Sequence, residues 1–129
     1  MQLLKTVHHI AIICTDYKKS KHFYTEILGL EIIHEQYRKA RNSYKLDLAL
    51  NGNYIIELFS FPDPAARSSQ PEACGLRHLA FAVEDIGVAV KYLVANNVET
   101  EPIRTDDLTG KKFTFFKDPD NLPLEFYEA

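Results

Sequence analysis

The chain has 129 residues, 15 of them Lys or Arg against 18 Asp or Glu, giving a net charge of −3 with histidine neutral, and 46% of it is hydrophobic. That length suits one domain with a shared core rather than two independent ones, and the acidic balance offers no general attraction to nucleic acid or to anionic lipid. No apolar run approaches the roughly 20 residues of a membrane span, no signal-peptide pattern opens the chain, and Cys14 and Cys74 lie in no disulfide-like spacing, so a cytoplasmic protein with free thiols is expected.

Residues 7–15 are β-branched and aliphatic with histidines inserted, which predicts a strand. Asp16 then reads as the N-cap of a helix over 17–28, whose apolar stripe is Phe23, Tyr24, Ile27 and Leu28 and whose stop is Gly29. Strands are expected over 30–37 and 43–50, and Asn51-Gly52 signals a tight hairpin into a strand over 53–61. The stretch 62–75, with three prolines, reads as a connection. The order then repeats. A strand over 76–83 is followed by Asp85 as cap, a helix with Ile86, Val90, Leu93 and Val94 on its stripe, and Asn96-Asn97 as stop. Strands near 100–105, over 111–116 and up to Tyr127 follow, separated by turns at 107–110 and 118–121. The expected fold class is α+β, with one domain over 1–129 made of two βαβββ modules, 1–61 and 76–129, joined by linker 62–75.

The repeat extends to polar residues. His9 opens a run of six mostly apolar residues ending at Asp16, and His78 opens a matching run ending at Asp85; Glu57 follows His9 by 48 residues and Glu125 follows His78 by 47. Strand alternation places His9 with Ala11 and Ile13, and His78 with Ala80 and Ala82, so small residues leave room beside each imidazole. Glu57 shares its face with Ile55, Phe59 and Phe61, and Glu125 with Pro123 and Tyr127. Carboxylates on such walls lose solvation that a divalent cation restores, and imidazole with carboxylate suits several such ions. His8, His22 and His34 read as structural histidines, Asp16 and Asp85 as caps, Lys18, Lys19 and Lys21 as a solvated face, and 118–121 as a turn rather than a calcium loop.

In order and spacing these marks resemble the vicinal oxygen chelate superfamily, the group of glyoxalases, bleomycin resistance proteins and extradiol dioxygenases, nearest to its glyoxalase I-like branch. They are His8-His9-Ile-Ala-Ile, the 16–30 helix with Phe23-Tyr24 and Gly29-Leu30, Tyr54-Ile-Ile-Glu57, Arg77-His78-Leu-Ala-Phe, and Asp118 to Asn121 leading to Glu125. The resemblance implies an eight-stranded cup-shaped sheet, a homodimer, and a metal held by His9, Glu57, His78 and Glu125. Nickel or zinc is the first expectation, with cobalt, manganese or iron also compatible. It further implies a lyase or isomerase that binds vicinal oxygens of a small-molecule substrate, stabilises an enediolate-like oxyanion, and moves a proton with Glu125 or Glu57, Glu125 being preferred by analogy.

Glutathione-using members carry Arg and Asn at positions matched here by Ile13 and Phe61, so a glutathione hemithioacetal is not the expected substrate. Arg38, Arg41, Arg77 and Lys112 are the candidates for holding another anionic group. Two alternatives stay open: a ferrous-iron ring-cleaving dioxygenase, against which the fourth ligand counts, and a non-catalytic protein that sequesters a drug, which leaves four buried polar groups without a purpose.

Overall fold

The computed structural model describes all residues, Met1–Ala129, and the chain divides into two compact units, Met1–Ala65 and Ala66–Ala129. The first unit runs β1 (Ile10–Cys14), α1 (Tyr17–His22), β2 (Glu31–Arg38), β3 (Ser43–Leu50) and β4 (Asn53–Ser60). The second runs β5 (Leu79–Val83), α2 (Ile86–Ala95), β6 (Arg104–Thr105), β7 (Lys112–Lys117) and β8 (Pro123–Glu128). The eight strands therefore divide into two four-stranded sheets of the same topology, β1-β4-β3-β2 and β5-β8-β7-β6, each with one parallel pair. The βαβββ repeat is present in both units, and the α+β class is as the sequence predicts.

Local chemistry sets the elements. Asp16 accepts from the Lys19 amide at 3.1 Å and Asp85 from the Val88 amide at 3.0 Å, each supplying an acceptor to an orphan N–H of the first helical turn. Helix α1 continues into one π-helical turn, Phe23–Ile27, and Gly29 leaves it at φ +78°. Asn51 and Gly52 both take positive φ, 51° and 80°, as a two-residue hairpin requires. Leu46, Leu48, Ile56 and Leu58 are fully buried and, with Ile12, Phe23, Tyr24 and Leu30, form the core of the first unit. Ile86, Leu93, Phe116, Leu124 and Phe126 do the same in the second. Truncating any of these leucines to alanine costs about 2–5 kcal/mol.

Four features differ from the expectation. The β3–β4 register slips by one residue between Leu48 and Ala49, so Ile55 has no cross-strand partner. Strand β1 pairs with β4 only from Ile10 opposite Ile56, leaving His8 and His9 ahead of the strand rather than inside it. On β8 the ladder to β5 begins at Leu124 opposite Leu79, next to Pro123, which has no N–H to give, so His78 also precedes its strand. Strand β6 is two residues long and not six, because Pro102 interrupts the run; instead the Glu101 amide donates to the Phe115 carbonyl at 2.9 Å and Thr114 Oγ1 donates to the Glu101 carbonyl at 2.7 Å. No helix is long and apolar enough to cross a membrane.

Candidate metal centre

Each unit brings together one of the predicted histidine–glutamate pairs. His9 Nε2 stands 3.7 Å from Glu57 Oε1, and His78 Nε2 stands 3.4 Å from Glu125 Oε1. The placement is the same in both: Ala11 lies opposite Glu57 on the parallel β1–β4 pair, and Ala80 opposite Glu125 on β5–β8, with the histidine two residues earlier each time. Within neither unit do three or more His, Cys, Asp or Glu side chains gather to hold a metal. The unit of construction is a pair.

The pairs fit a divalent cation as ligands. Two donors bound at about 2.1 Å to one ion stand about 3.0–3.4 Å apart at octahedral or tetrahedral angles, so the observed separations need an adjustment of at most about 0.7 Å. Nδ1 of His9 is 2.8 Å from Nδ1 of His8, a contact in which one ring donates and the other accepts. When His9 is the donor, its Nε2 presents a lone pair toward Glu57, the tautomer a ligand needs. His8 thereby orients its neighbour. At His78 the Nδ1 contact is Arg77 Nη1 at 3.3 Å. A guanidinium only donates, so in this arrangement Nε2 carries the proton toward Glu125; for Nε2 to hold a cation, the ring proton would have to sit on Nδ1 and Arg77 turn aside.

The surroundings of the two carboxylates differ. Opposite Glu57 on β3 is Asp47, and opposite Glu125 on β7 is Phe115. Lys45 Nζ bonds both oxygens of Asp47 at 2.8 Å and stands 3.4 Å from Glu57 Oε2. Tyr54 donates to Asp47 at 2.8 Å and reaches Glu57 Oε2 at 3.3 Å, while its ring stacks on His9 with centroids 5.0 Å apart. Burial acts to raise the Asp47 pKa, but the hydrogen bonds from Lys45 and Tyr54 outweigh it, and the carboxyl is held below its ordinary value. Burial and the bond to Asp47 push the Tyr54 hydroxyl up, so it remains a proton donor. Around Glu125 the neighbours are rings and one arginine: Phe115, opposite it on β7, packs edge-on against His78 at 5.0 Å, Phe113 stacks with Tyr127, and the carboxylate interacts electrostatically with Arg77.

Lys45, Asp47 and Tyr54 are the residues that sequence reasoning missed. Strict alternation along 53–61 puts Tyr54 on the face away from Glu57. The bulge at Ile55 turns it to the same side, which is why residues three apart on a strand share a hydrogen bond. Of the other candidates, Arg77 pairs with exposed Glu72 and lines a cavity of about 350 Å³ with Arg67, Arg104 and Phe115; Lys112 is exposed on β7. Arg38 and Arg41 lie over Phe59 and Phe61. Lys21 is not a solvated face residue but bonds Glu35, which Tyr17 also contacts.

Comparison with known proteins agrees with this architecture. The chain is 66% identical over 126 residues to the uncharacterized protein YwkD of Bacillus subtilis (strain 168), covering 98% of each. A crystal structure of a glyoxalase family protein from Enterococcus faecalis superposes with a TM-score of 0.91 at 49% identity, covering 98% of this chain and 100% of that one. More distant relatives are enzymes by name. One is the metallothiol transferase FosB of Staphylococcus saprophyticus, 30% identical over 97% of this chain and 78% of that one. Another is a 2-epi-5-epi-valiolone epimerase of Actinomyces sp, 28% identical over 92% and 76%. A model of the Glyoxalase/Bleomycin resistance protein/Dioxygenase superfamily matches residues 6–126, and with both units built as βαβββ modules around a histidine–glutamate pair, the chain belongs to that superfamily.

Proposed function

We propose that the protein is a metal-dependent lyase or isomerase of the glyoxalase type, with His9, Glu57, His78 and Glu125 serving one divalent cation. The observation that carries the reading is the duplication of the pair at one register in both units, at 3.7 and 3.4 Å. Two donors alone hold a divalent ion weakly, whereas four from two equivalent pairs match the ligand count such sites use. When bound, the cation supplies Lewis acidity toward two adjacent oxygens of a small substrate. Nickel and zinc come first by family resemblance, then cobalt, manganese and iron.

The residues around the pairs divide the work. Lys45 and Tyr54 hold Glu57 Oε2, which favours a fixed ligand. Glu125 has no lysine or tyrosine bonded to it as Glu57 has, and we assign it the proton transfer from the carbon beside a carbonyl. Ile13 and Phe61, where glutathione-using members have polar residues, point to a substrate other than the glutathione hemithioacetal. The family resemblance adds a homodimer.

The test is metal analysis of the purified protein, followed by hydrogen–deuterium exchange into small α-hydroxycarbonyl compounds with each of the five metals. One divalent ion per chain, lost in His9→Ala and in His78→Ala, with metal-dependent exchange, is the expected result. A chain that takes up no divalent ion refutes the reading in favour of sequestration. Iron-dependent oxygen uptake on catechols replaces it with ring cleavage.

A further inference from the structure

Four of the 15 basic side chains are matched with carboxylates: Lys21 with Glu35, Lys45 with Asp47 and Glu57, Arg77 with Glu72, Arg104 with Glu101. Arg38 and Arg41 are not among them, and they differ from the other unmatched cations in standing together on one pair of rings. The 3₁₀ turn Lys39–Arg41, closed by Asn42 at φ 45°, folds both back over the same strand. The Arg38 guanidinium carbon lies 4.8 Å from the Phe59 centroid and 5.9 Å from that of Phe61, and the Arg41 carbon lies 5.4 Å from Phe61. The two rings stack on each other at 5.6 Å. Arg38 Nη2 donates to Ser43 Oγ at 3.0 Å, while its Nε is buried and makes no hydrogen bond.

Two guanidinium charges over one aromatic floor repel each other, and the ring faces offset only part of that cost. Lys45 already occupies the nearby carboxylates Asp47 and Glu57. An external anion is what the cluster lacks. Arg38 lies opposite Ser43, which alternates onto the same face of β3 as Lys45 and Asp47, and Asp47 lies opposite Glu57. The site therefore shares a sheet face with the candidate ligand, and Phe59 follows Glu57 by two residues, about 7 Å along the strand. A carboxylate would neutralise one of the two charges, whereas a phosphate monoester dianion matches both and offers the oxygens that planar guanidinium donors bind.

We propose that Arg38 and Arg41, seated on Phe59 and Phe61, bind the phosphoryl group of a small substrate whose reacting oxygens lie at the Glu57 end of the same strand. The anion site stands on its own geometry; its relation to the reacting oxygens rests on the function proposed above.

The test uses the full chain, ¹⁵N-labelled and metal-free, titrated with inorganic phosphate while the arginine Nε–H signals are followed by NMR. Sodium acetate and sodium chloride at matched ionic strength serve as controls. A saturable shift with phosphate is expected, weakened roughly tenfold or more in Arg38→Met and in the exposed Arg41→Met. A response no larger than that to chloride, or one undiminished in both variants, overturns the site, and acetate binding as tightly as phosphate overturns the phosphoryl assignment. Adding Mn²⁺ and reading ³¹P relaxation of the bound phosphate then tests placement. Metal uptake without faster relaxation refutes the link to Glu57 and leaves the anion site in place; failure to take up metal counts against the proposed metal centre and leaves the metal-free titration unaffected.

Discussion

Replacing Lys45 by methionine keeps the side-chain stem and removes the one cation between Asp47 and Glu57. These carboxylates belong to residues directly opposite each other on β3 and β4, and their side chains are 12% and 17% exposed. At a separation of about 5 Å and an effective dielectric constant of about 20, their repulsion is about 3 kcal/mol. Losing the Lys45 contacts themselves adds to this and solvent access subtracts, so a net destabilisation of about 2–4 kcal/mol is expected at pH 7 without metal. For a chain of this length that lowers Tm by about 10 °C. Asp47 has a depressed pKa in the folded state, so the stability it contributes is present above its unfolded value, about 3.9, and is lost as pH falls through the folded one. The gap between parent and variant should therefore be full at pH 7 and shrink as pH falls into the carboxylate range. A second variant, Lys45→Met with Asp47→Leu, removes both charges and should recover most of the loss. Calorimetry from pH 3.5 to 7.5 measures all of this. A Lys45→Met variant melting within about 2 °C of the parent at pH 7 would refute the reasoning.

The same ion-pair chemistry near the surface should matter less: Lys21→Met, facing Glu35 with both side chains about one-third exposed, is expected to cost under about 1 kcal/mol by urea denaturation. Asp16→Ala and Asp85→Ala each remove an acceptor from a helix start and should cost about 1 kcal/mol, additively because the caps lie in different units. Glu57→Gln is expected to weaken metal binding by about 10–100-fold, as measured by competition with a chromogenic chelator. Glu125→Gln is expected to keep more of the metal and lose proton exchange by about 100-fold or more, and the reverse pattern would exchange the two roles.

What the sequence revealed followed from short-range chemistry. Asp16 and Asp85 cap because the rule for caps is local, and Asn51-Gly52 turns because both residues tolerate positive φ. The histidine–glutamate pairs were legible because they are written twice. The rest depended on a single register slip. Without the bulge at Ile55, the hairpin would set Asp47 opposite Ile56 and Lys45 opposite Leu58, on the core side of the sheet. With it, both polar residues move beside Glu57 and Tyr54 joins them. Periodicity assigns faces only while alternation is unbroken, so the network around Glu57 was out of reach. Arg38 and Arg41 were visible as charges, but their stacking on Phe59 and Phe61 depends on how the turn at 39–42 folds.

The repeat therefore duplicates the donors without duplicating their environment. At equivalent cross-strand positions Glu57 meets Asp47 and Glu125 meets Phe115; Lys45 corresponds to Phe113, and Phe59 to Tyr127. A carboxylate beside an ammonium and a phenol is held in one place, because moving it breaks two charge-assisted contacts. Two chemically identical side chains thus differ in what surrounds them. On the function proposed above, the repeat supplies one carboxylate as a held ligand and one for proton transfer, through divergence on the third and fourth strands of each unit.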